Sequence, residues 1–368
     1  MRASRTFAGR SGLGRQRSAC GRGAAMGQRA AMAAVLPVRA IPTLVQLPLA
    51  FARRRVLLVG DLVADHYIYG QTDRVSREAP VLIVRHESSE VKLGGGANVA
   101  ANVRALSGQV TAVGVLGADE MGRALRKLFD EAGIELRAAS ARGVETETKT
   151  RILAGGMSTT RQQMLRLDRG QRGPLPPKLR RLLVKRMEEA GKDADAVVVS
   201  DYGAGVVGDE MREALRKLAA EGLPVCVDSR YALSSFTGMT VCKPNEPELQ
   251  ALVGRSLRTD EELVEAGREM VRRMECKALL VTRGRHGMVL FDAEGGVDRI
   301  PVHGAKDAVD VTGAGDTVIA ALSLGLAAGG SFGEAARLAN VAGALAVQKL
   351  GTATVASDEL LGELRSAR

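Results

Sequence analysis

The stretch that decides the fold is Asp310-Val311-Thr312-Gly313-Ala314-Gly315-Asp316, which is followed by an apolar run over residues 317–328. The apolar run predicts a buried helix, and the small residues Gly313, Ala314 and Gly315 leave backbone N–H groups uncovered at its start. Because a helix N-terminus also carries partial positive charge, this arrangement predicts a cradle for an anion such as phosphate. A carboxylate at Asp316 could then accept the proton of a hydroxyl that attacks the phosphorus. The same residues also fit a helix-entry turn in which an aspartate caps the helix.

The length and composition of the chain allow a large folded core. Its 368 residues are 45% hydrophobic and carry a formal net charge of +10, which suits one large α/β domain or two smaller ones. Of the 52 basic residues, eight are arginines within residues 1–50, where no acidic residue occurs, which leaves 44 basic against 42 acidic residues. The remainder is therefore nearly neutral, and no nucleic-acid partner follows from the charge.

The first 54 residues differ in composition from the rest of the chain. They are rich in Arg, Ala and Gly and show no clean hydrophobic period. A transit peptide has a similar composition, but Met26 and Met32 also allow a later start of translation. We expect residues 1–54 to be a disordered or spurious leader, and the folded domain to cover residues 55–368.

Cysteine usage and hydropathy indicate the environment of the protein. The four cysteines, at positions 20, 226, 242 and 276, lie far apart and without a histidine cluster nearby. This spacing disfavours a zinc site or a disulfide framework and favours a reducing compartment. No apolar run approaches the roughly 20 residues that a membrane helix needs. We therefore expect a cytoplasmic protein with no membrane partner.

The hydrophobic pattern alternates between strands and helices along most of the chain. Residues 56–59 indicate a strand that is buried on both faces, whereas residues 66–86 and 147–168 indicate two hairpins outside the main sheet. The alternation predicts an α/β fold with a mostly parallel sheet covered on both faces, in which sites lie at the carboxyl ends of strands. The polar residues expected at such ends are Asp61, Asp201, Asp228, Asn245 and Thr282.

Two short stretches suit a ligand that is rich in hydroxyl groups. Gly94-Gly95-Gly96-Ala97-Asn98 opens a predicted helix, where the glycines let a ligand approach the backbone and Asn98 offers both a donor and an acceptor. Asp65, just past the first strand, could accept hydrogen bonds from two sugar hydroxyls. A turn with a helix cap explains the first stretch equally well, and an exposed loop aspartate explains the second.

Two further stretches suit a nucleotide and its metal ion. Asn245 and Glu248 are three residues apart, so they share a helical face and could hold a hydrated Mg²⁺ through water. An ordinary capping box at a helix N-terminus has the same residues. Residues 282–287 form a glycine-bearing turn between two strands, against which a nucleotide could lie, although a plain β-turn has the same composition.

Two common nucleotide-binding fingerprints are absent from the chain. It contains no Gly-x-x-x-x-Gly-Lys-Ser/Thr, so it is not a P-loop enzyme. It also contains no Gly-x-Gly-x-x-Gly directly after a strand with an acidic partner, which disfavours a dinucleotide-binding fold.

Taken in order along the chain, residues 94–98, 245–248 and 310–316 resemble the signatures of the ribokinase-like (PfkB) family of sugar kinases. The resemblance runs from about Arg55 to the C-terminus. Within the family it is greatest to kinases of D-glycero-β-D-manno-heptose 7-phosphate, the kinase half of a bifunctional enzyme of lipopolysaccharide inner-core synthesis. The stretches that narrow the resemblance in this way are residues 76–81 and 163–168.

The resemblance implies a fold and a role for each site residue. The implied fold is a three-layer α/β/α sandwich with a small β lid formed by residues 66–86 and 147–168. Asp316 is the implied catalytic base on a sugar hydroxyl, and the implied ligands are ATP, Mg²⁺ and a sugar. The backbone of Gly313, Ala314 and Gly315 is the implied anion hole for the transferring phosphoryl group. The residues implied to bind ATP are Asn245, Glu248, Thr282, Gly284, Gly287 and Asn340. Of these, Asn245 and Glu248 are also implied to lie near the metal. The residues implied to bind the sugar are Asp65, Gly94, Gly95 and Asn98.

The implied reaction is transfer of the γ-phosphate of ATP to the heptose 7-phosphate, which gives the 1,7-bisphosphate. The chain departs from the pattern of heptose kinases at Ala204 and at Ser229-Arg230, where Asp-Tyr-x-Lys-Gly and Asp-Pro-Lys are usual. A kinase of another sugar or sugar phosphate, or a non-catalytic sugar or nucleotide sensor, therefore stays open. Because the chain ends at residue 368, we expect a single-function form. The resemblance also allows activation by a monovalent cation and a homodimer formed through the lid.

Overall fold

The computed structural model describes residues 41–156, 161–171, 173–304 and 308–366. The helices, in chain order, are α1 Ile41–Leu49, α2 Gly96–Ala105, α3 Glu120–Glu131, α4 Pro177–Gly191, α5 Asp209–Ala220, α6 Glu246–Val253, α7 Asp260–Met274, α8 Ala314–Ala327, α9 Phe332–Ala346 and α10 Ser357–Ser366. The strands are β1 Arg55–Gly60, β2 Leu62–Val75, β3 Leu82–Gly95, β4 Gln109–Val113, β5 Glu135–Leu136, β6 Thr148–Gly155, β7 Gln162–Arg169, β8 Ala196–Asp201, β9 Val225–Ser229, β10 Val241–Cys242, β11 Ala278–Thr282, β12 Met288–Asp292 and β13 Val297–Ile300.

Nine strands form the main sheet, in the order β13-β12-β11-β10-β9-β8-β1-β4-β5. The strands from β11 to β5 in this order are parallel, and β12 and β13 add an antiparallel edge. On the central strand β1, Val56 and Leu58 pack into the core on one face, and Leu57 and Val59 into the core on the other. Burial on both faces explains the unbroken apolar run of this strand.

Helices cover both faces of the main sheet and complete a three-layer α/β/α sandwich. On one face, α8 and α9 supply residues such as Ile319 and Leu338 to the core, together with α1, α2, α3 and α10. On the other face, α4 and α7 supply residues such as Leu183 and Met270, together with α5 and α6. The sandwich predicted from the sequence is confirmed.

A second sheet of four strands, in the order β3-β2-β6-β7, forms the small β lid. β2 pairs with β3 and β6 with β7 as antiparallel hairpins, and β2 and β6 run parallel. The chain enters the lid directly after Asp61 at the end of β1 and leaves it through Gly95 into α2. The lid is therefore anchored at the carboxyl edge of the main sheet. Both expected hairpins are present, and the first one is longer than residues 66–86.

One long helix, α4, and two short edge strands, β5 and β13, are not predicted from the sequence. Helix α4 buries Leu179, Leu183 and Met187. Their spacing of four residues is typical of a helix, and it was not used in the prediction. The strands β5 and β13 are short and only partly buried, so they have little hydrophobic signal of their own.

The folded chain begins before Arg55. Helix α1 and a 3-10 turn at Phe51–Arg53 precede β1, and Leu44, Leu47 and Phe51 are buried in the core. A leader that extends to residue 54 is therefore too long, because these side chains belong to the fold. The remainder of that expected leader, residues 1–40, lies outside the described residues.

Within the described ranges, no helix has both the length and the apolar character needed to cross a membrane. Cys226, Cys242 and Cys276 are free thiols in the interior. Cys20 lies outside the described residues.

Candidate active site

Asp316 lies in the first turn of α8, directly after the small-residue stretch. Gly313 precedes this helix with a φ of 77°, a left-handed conformation that favours glycine. The Asp316 side chain is buried, and its Oδ2 accepts a hydrogen bond from Asn98 Nδ2 at 2.7 Å. Its Oδ1 accepts one from the Tyr202 hydroxyl at 3.0 Å. Each carboxylate oxygen thus has one donor and keeps lone-pair capacity for the hydroxyl of a ligand.

A chain of side chains orients the amide of Asn98. Asn102 Nδ2 donates to Asn98 Oδ1 at 3.3 Å, and Thr317 Oγ1 donates to Asn102 Oδ1 at 2.9 Å. Because Asn98 Oδ1 accepts from Asn102, Nδ2 is the Asn98 atom that faces the carboxylate. Helices α2 and α8 are tied together by these bonds, so Asp316 is held from two elements.

The surroundings of Asp316 bring the pKa of its carboxyl group close to neutral pH. Burial raises the pKa of Asp316 to about 7, and the carboxylate of Asp228 adds to the rise. The hydrogen bonds from Asn98 and Tyr202 and the charge of Lys243 act in the opposite direction. A carboxyl group with a pKa near the working pH can both take up and release a proton.

Tyr202 is a site residue to which the sequence analysis assigns no role. It follows β8 directly, and its backbone N–H donates to Asp61 Oδ2 at 2.7 Å. The backbone N–H of Ala204 donates to the same oxygen at 3.0 Å. These bonds fix the loop so that the phenol reaches Asp316. The available signal was a tyrosine next to Asp201 at the carboxyl end of a strand.

The predicted anion cradle is the N-terminal turn of α8. The first N–H groups of a helix have no partner within the helix, and the N–H of Ala314 makes only a long bond of 3.3 Å to the Val311 carbonyl. A Cβ added at Gly315 would lie 3.5 Å from Lys243 Nζ and 3.8 Å from Asp228 Oδ2. A lysine ammonium therefore faces the same turn as the backbone amides.

Lys243 is the second site residue that the sequence analysis misses. It follows β10, is 4% exposed, and its Nζ lies 2.8 Å from Asp228 Oδ2. Burial lowers the pKa of this lysine, but Asp228 and other nearby carboxylates outweigh it and raise the pKa, so the side chain stays charged. A buried cation stabilises negative charge in a site from which water is excluded. The available signal was a lysine beside Asn245 at the end of a strand, because lysine is rarely buried without a partner or a role.

A cavity of about 680 Å³, the first cavity, lies beside Asp316 between the lid and the main sheet. Asp65 lines it and is 3% exposed, so it is not an exposed loop residue. Arg151 Nη1 donates to Asp65 Oδ1 at 2.6 Å, which leaves Oδ2 outside this ion pair. A Cβ at Gly94 would lie 2.5 Å from Asp65 Oδ2. Gly94 thus supports the carboxylate from behind, whereas Gly95 lines the cavity itself.

Several cationic side chains line the first cavity. Arg166 makes a bidentate pair with Asp168, with bonds of 2.7 and 2.6 Å. Lys149 and Arg230 also line the cavity, and neither side chain makes an ion pair with a carboxylate of the described chain. Two unpaired cations in a cavity suit a ligand with an anionic group.

The residues that depart from the heptose-kinase pattern fall on or near this cavity. Ala204 and Arg230 line it. Ser229 instead points to the strand ends, where its hydroxyl donates to Asp201 Oδ2 at 2.7 Å. Two of the three departures can therefore affect the choice of ligand.

A second cavity, of about 470 Å³, shares Tyr202, Arg230, Gly313 and Asp316 with the first. Asn245 and Glu248 line it and also form a capping box, in which Asn245 Oδ1 accepts from the Glu248 N–H at 2.8 Å and Glu248 Oε2 accepts from the Asn245 N–H at 2.9 Å. The capping interpretation of this motif is thus correct, and the same residues face a cavity.

A third cavity, of about 190 Å³, shares Thr282 and Gly315 with the second. Its lining is mostly apolar, which suits the flat ring of a nucleobase. The residues expected at the nucleotide that line it are Thr282, Gly284, Gly287 and Asn340. Asn340 is oriented by a bond of 2.8 Å from its Nδ2 to the Pro301 carbonyl.

The donor atoms of the second cavity suit magnesium. No three His, Cys, Asp or Glu side chains of the described ranges are grouped so that they could hold a metal ion. Three residues with side-chain oxygen atoms, Asn245, Glu248 and Asp228, do line this cavity. Mg²⁺ prefers oxygen ligands and usually keeps several waters and binds substrate phosphates. These residues fit a Mg²⁺ ion that is held mainly by nucleotide phosphates and water.

A comparison with family models covers most of the chain. The family model described as pfkB family carbohydrate kinase matches residues 53–359. The chain belongs to this family. By family it is accordingly a carbohydrate kinase, a phosphotransferase with an alcohol group as acceptor. The family predicted from residues 94–98, 245–248 and 310–316 is confirmed.

Two relatives that are about 40% identical to this chain are longer proteins than it is. Bifunctional protein HldE of Citrifermentans bemidjiense is 39% identical over 313 residues, which cover 84% of this chain and 63% of that protein. Bifunctional protein HldE of Methylococcus capsulatus is 41% identical over 317 residues, which cover 84% of this chain and 64% of that protein. The chain of this kinase thus spans less than two thirds of the length of these relatives.

Solved structures confirm the fold of this kinase. Phosphofructokinase-2 from Escherichia coli, in complex with substrates and products, matches with a TM-score of 0.69 at 21% identity, over 86% of this chain and all of that chain. Ribokinase of Arabidopsis thaliana, complexed with ribose and ATP, matches with a TM-score of 0.66 at 22% identity, over 85% of this chain and 98% of that chain.

Proposed function

We propose that this kinase transfers the γ-phosphate of ATP to the anomeric hydroxyl of D-glycero-β-D-manno-heptose 7-phosphate, giving the 1,7-bisphosphate and ADP. The observation that carries the proposal is that Asp316 lines both the first and the second cavity. A base at this junction has the acceptor hydroxyl on one side and the terminal phosphate of the nucleotide on the other. Such an arrangement turns an encounter of two substrates into a reaction between neighbouring groups.

Asp316 acts as the general base in this proposal. The carboxylate takes the proton of the sugar hydroxyl, whose oxygen attacks the γ-phosphorus, while the bond from that phosphorus to the β–γ bridging oxygen breaks and ADP leaves. The donors Asn98 and Tyr202 hold the two carboxylate oxygens, so the base is aimed before the substrate arrives. A pKa of about 7 leaves a large fraction of Asp316 ionised at neutral pH.

The cradle and Lys243 stabilise the transferring group. Negative charge spreads over the equatorial oxygens of the phosphoryl group in the transition state. The first-turn amides of α8 and the ammonium of Lys243 meet at Gly315, where both can interact with that charge. Groups that are already oriented need no rearrangement when the charge develops.

The second and third cavities take the nucleotide. The base lies in the apolar third cavity beside Asn340, and the phosphates extend through the second cavity towards Gly315. Asn245 and Glu248 hold Mg²⁺ through water, and this ion supplies charge neutralisation at the phosphates. The E. coli phosphofructokinase-2 has also been solved in complex with potassium, which supports a monovalent-cation effect as a further part of the proposal.

The first cavity takes the sugar. Asp65 Oδ2 accepts from sugar hydroxyls, with Arg151 holding the other oxygen of the same carboxylate. Arg230, which makes no ion pair within the described chain, suits the phosphate group of the acceptor. The choice of heptose rests on the resemblance of residues 76–81 and 163–168 and on the likeness to Bifunctional protein HldE.

The lid closes the first cavity in this proposal and excludes water, which competes with the sugar for the phosphoryl group. Its outer strand β7 is exposed along its length and carries Leu165 and Leu167, which are 56% and 52% exposed. Exposed apolar side chains on an edge strand suit a second copy of the chain. We include a homodimer through the lid in the proposal.

A second candidate function is phosphorylation of another sugar phosphate. It is favoured by Ala204 and Arg230, which line the first cavity in place of the residues that are usual in heptose kinases. The arginine also presents a planar fork where a lysine would present a point charge.

The test is acceptor-dependent ADP release by the full chain with ATP and Mg²⁺ over a panel of sugars. The panel contains heptose 7-phosphate, the same heptose without phosphate, fructose 6-phosphate and ribose, and the product is identified by phosphorus NMR. We expect the highest kcat/KM with heptose 7-phosphate and a new phosphate on the anomeric oxygen. A higher kcat/KM with another sugar would support the second candidate, and no acceptor-dependent release at all would contradict a kinase.

A further inference from the structure

Lys149 joins the lid to the groups around Asp316. It lies in β6, and its Nζ lies 4.3 Å from the centre of the Tyr202 ring. Its neighbour on the same face of β6, Arg151, pairs instead with Asp65. The ammonium of Lys149 makes no such ion pair in the described part of the chain, and it lies over the face of the phenol.

Tyr202 is fixed at three points. Its backbone N–H donates to Asp61, its ring face lies against Lys149, and its hydroxyl donates to Asp316 Oδ1. The phenol therefore forms a direct connection from a strand of the lid to the carboxylate. A second connection runs through the other carboxylate oxygen, because its donor Asn98 lies in α2, which follows lid strand β3 directly.

A cation against the face of a phenol changes what the hydroxyl can do. The ring is attracted to the cation, which restricts its position. The nearby positive charge also favours negative charge on the phenol oxygen, so the O–H becomes a stronger donor. A stronger hydrogen bond to a carboxylate favours its ionised form. An ammonium on the lid can therefore influence a base that it does not touch.

We propose that Lys149 is a positioning residue that acts on Asp316 through Tyr202. When the lid closes over an acceptor, Lys149 fixes the phenol, and the phenol holds the carboxylate ionised and aimed at the acceptor hydroxyl. When the lid is open, this support is missing and the base is less effective, which limits the loss of ATP to water. The inference rests on the proposed function, because it takes Asp316 as the base.

The groups that face Asp316 come from several elements. Asn98 of α2 and Tyr202 after β8 donate to it. Asp228 in β9 raises its pKa and Lys243 after β10 lowers it. These last two residues are unchanged in all the variants proposed below, so they do not account for a difference among the variants.

The test is the pH dependence of kcat/KM in wild type, Lys149→Met, Tyr202→Phe and the double variant. Loss of the phenol hydroxyl removes a donor from the carboxylate, so the acid limb should move to higher pH by about one unit. Lys149→Met should move the limb in the same direction by a smaller amount. In the Tyr202→Phe background, Lys149→Met should cause no further shift, because the hydroxyl through which it acts is gone.

The lid offers a matched control at Lys92. This lysine lies on the other side of Asp65 in the same row of the lid sheet, and its Nζ lies 5.3 Å from the centre of the Tyr67 ring. The side-chain donors to the Asp316 carboxylate in the described chain are Asn98 and Tyr202, and Tyr67 is not one of them. Lys92→Met should therefore leave the acid limb in place. Lys149→Arg should keep most of the wild-type profile, because a guanidinium also stacks on an aromatic face.

Two outcomes would overturn the inference. One is an equal shift by Lys149→Met with and without the Tyr202 hydroxyl, which would mean that the ammonium acts on the carboxylate directly. The other is a uniform loss of kcat/KM at all pH values, which would make Lys149 a residue that only binds the acceptor. A readout without turnover is the carbon-13 carboxyl titration of Asp316, assigned by comparison with Asp316→Asn. If wild type phosphorylates no sugar, the proposed function fails, and this titration still tests the link between Lys149 and Tyr202.

Discussion

Replacing Gly313 with alanine should weaken the proposed base Asp316 by displacing its hydrogen-bond donor Asn98, while Asp316 itself is kept. Gly313 has a φ of 77°, and this left-handed conformation costs a residue with a Cβ about 1–2 kcal/mol. The added Cβ would also lie 2.8 Å from Asn98 Nδ2, which is closer than such atoms approach, so the amide must move. That amide is the donor to Asp316 Oδ2 at 2.7 Å.

The expected size of the effect follows from these two contacts. The free energy of unfolding should fall by at least the conformational cost, about 1–2 kcal/mol. A hydrogen bond to a charged group contributes about 1.5–3 kcal/mol, so its loss should lower kcat/KM at neutral pH by roughly tenfold or more. Denaturant unfolding measures the first quantity, and acceptor-dependent ADP release measures the second.

Gly315→Ala is the matched control for this prediction. Gly315 lies inside α8, and the nearest atom to an added Cβ is Lys243 Nζ at 3.5 Å, an ordinary contact. Stability should stay at the wild-type level or rise slightly, because alanine is favoured over glycine in a helix, while turnover should fall because the methyl group faces the cradle. The reasoning would be refuted if Gly313→Ala kept both stability and turnover.

Three further predictions concern the charges of the site. The acid limb of wild-type kcat/KM should lie near pH 7, with the rate rising as Asp316 ionises. Because the pKa of Asp316 in the folded protein lies above its value in the unfolded chain, the free energy of unfolding should fall as the pH rises towards 7. Thermal unfolding of Asp316→Asn should lack this part of the pH dependence. Lys243→Met should cost a few kcal/mol by leaving Asp228 unpaired, and adding Asp228→Asn should restore the melting temperature but not turnover. Arg151→Met should raise the KM for the sugar and leave that for ATP unchanged, because Arg151 holds Asp65; a change confined to the KM for ATP would contradict the assignment of the first cavity.

Local sequence signals predicted most of the architecture. The apolar run of β1 indicates a central strand because burial on both faces leaves no polar position in it. The glycines and Asp316 indicate a cradle because small residues leave backbone N–H groups uncovered at the start of a helix, next to a carboxylate. Asn245 and Glu248 show the limit of such signals, since one pair of residues forms a capping box and also faces a cavity.

Residues that act across the fold were harder to find. Tyr202 reaches Asp316 from 114 positions away, and Lys243 reaches the cradle from a different strand. Nothing in their own neighbourhoods records these contacts, which depend on the order of strands in the main sheet. Lys149 is harder still, because its effect on Asp316 requires the lid and the phenol together. Contacts between distant elements are the part of a site that is hardest to predict from a single sequence.

Phosphoryl transfer in the proposed function depends on proton transfer to the carboxylate of Asp316, and Asp316→Asn tests this dependence most directly. The measurement is the rate of sugar phosphorylation by this variant, together with its dissociation constant for ATP. We expect turnover to fall by several orders of magnitude while ATP binds almost as in wild type, because the carboxylate acts mainly in the transition state. A variant that keeps most of its turnover would contradict the role of Asp316 as the base.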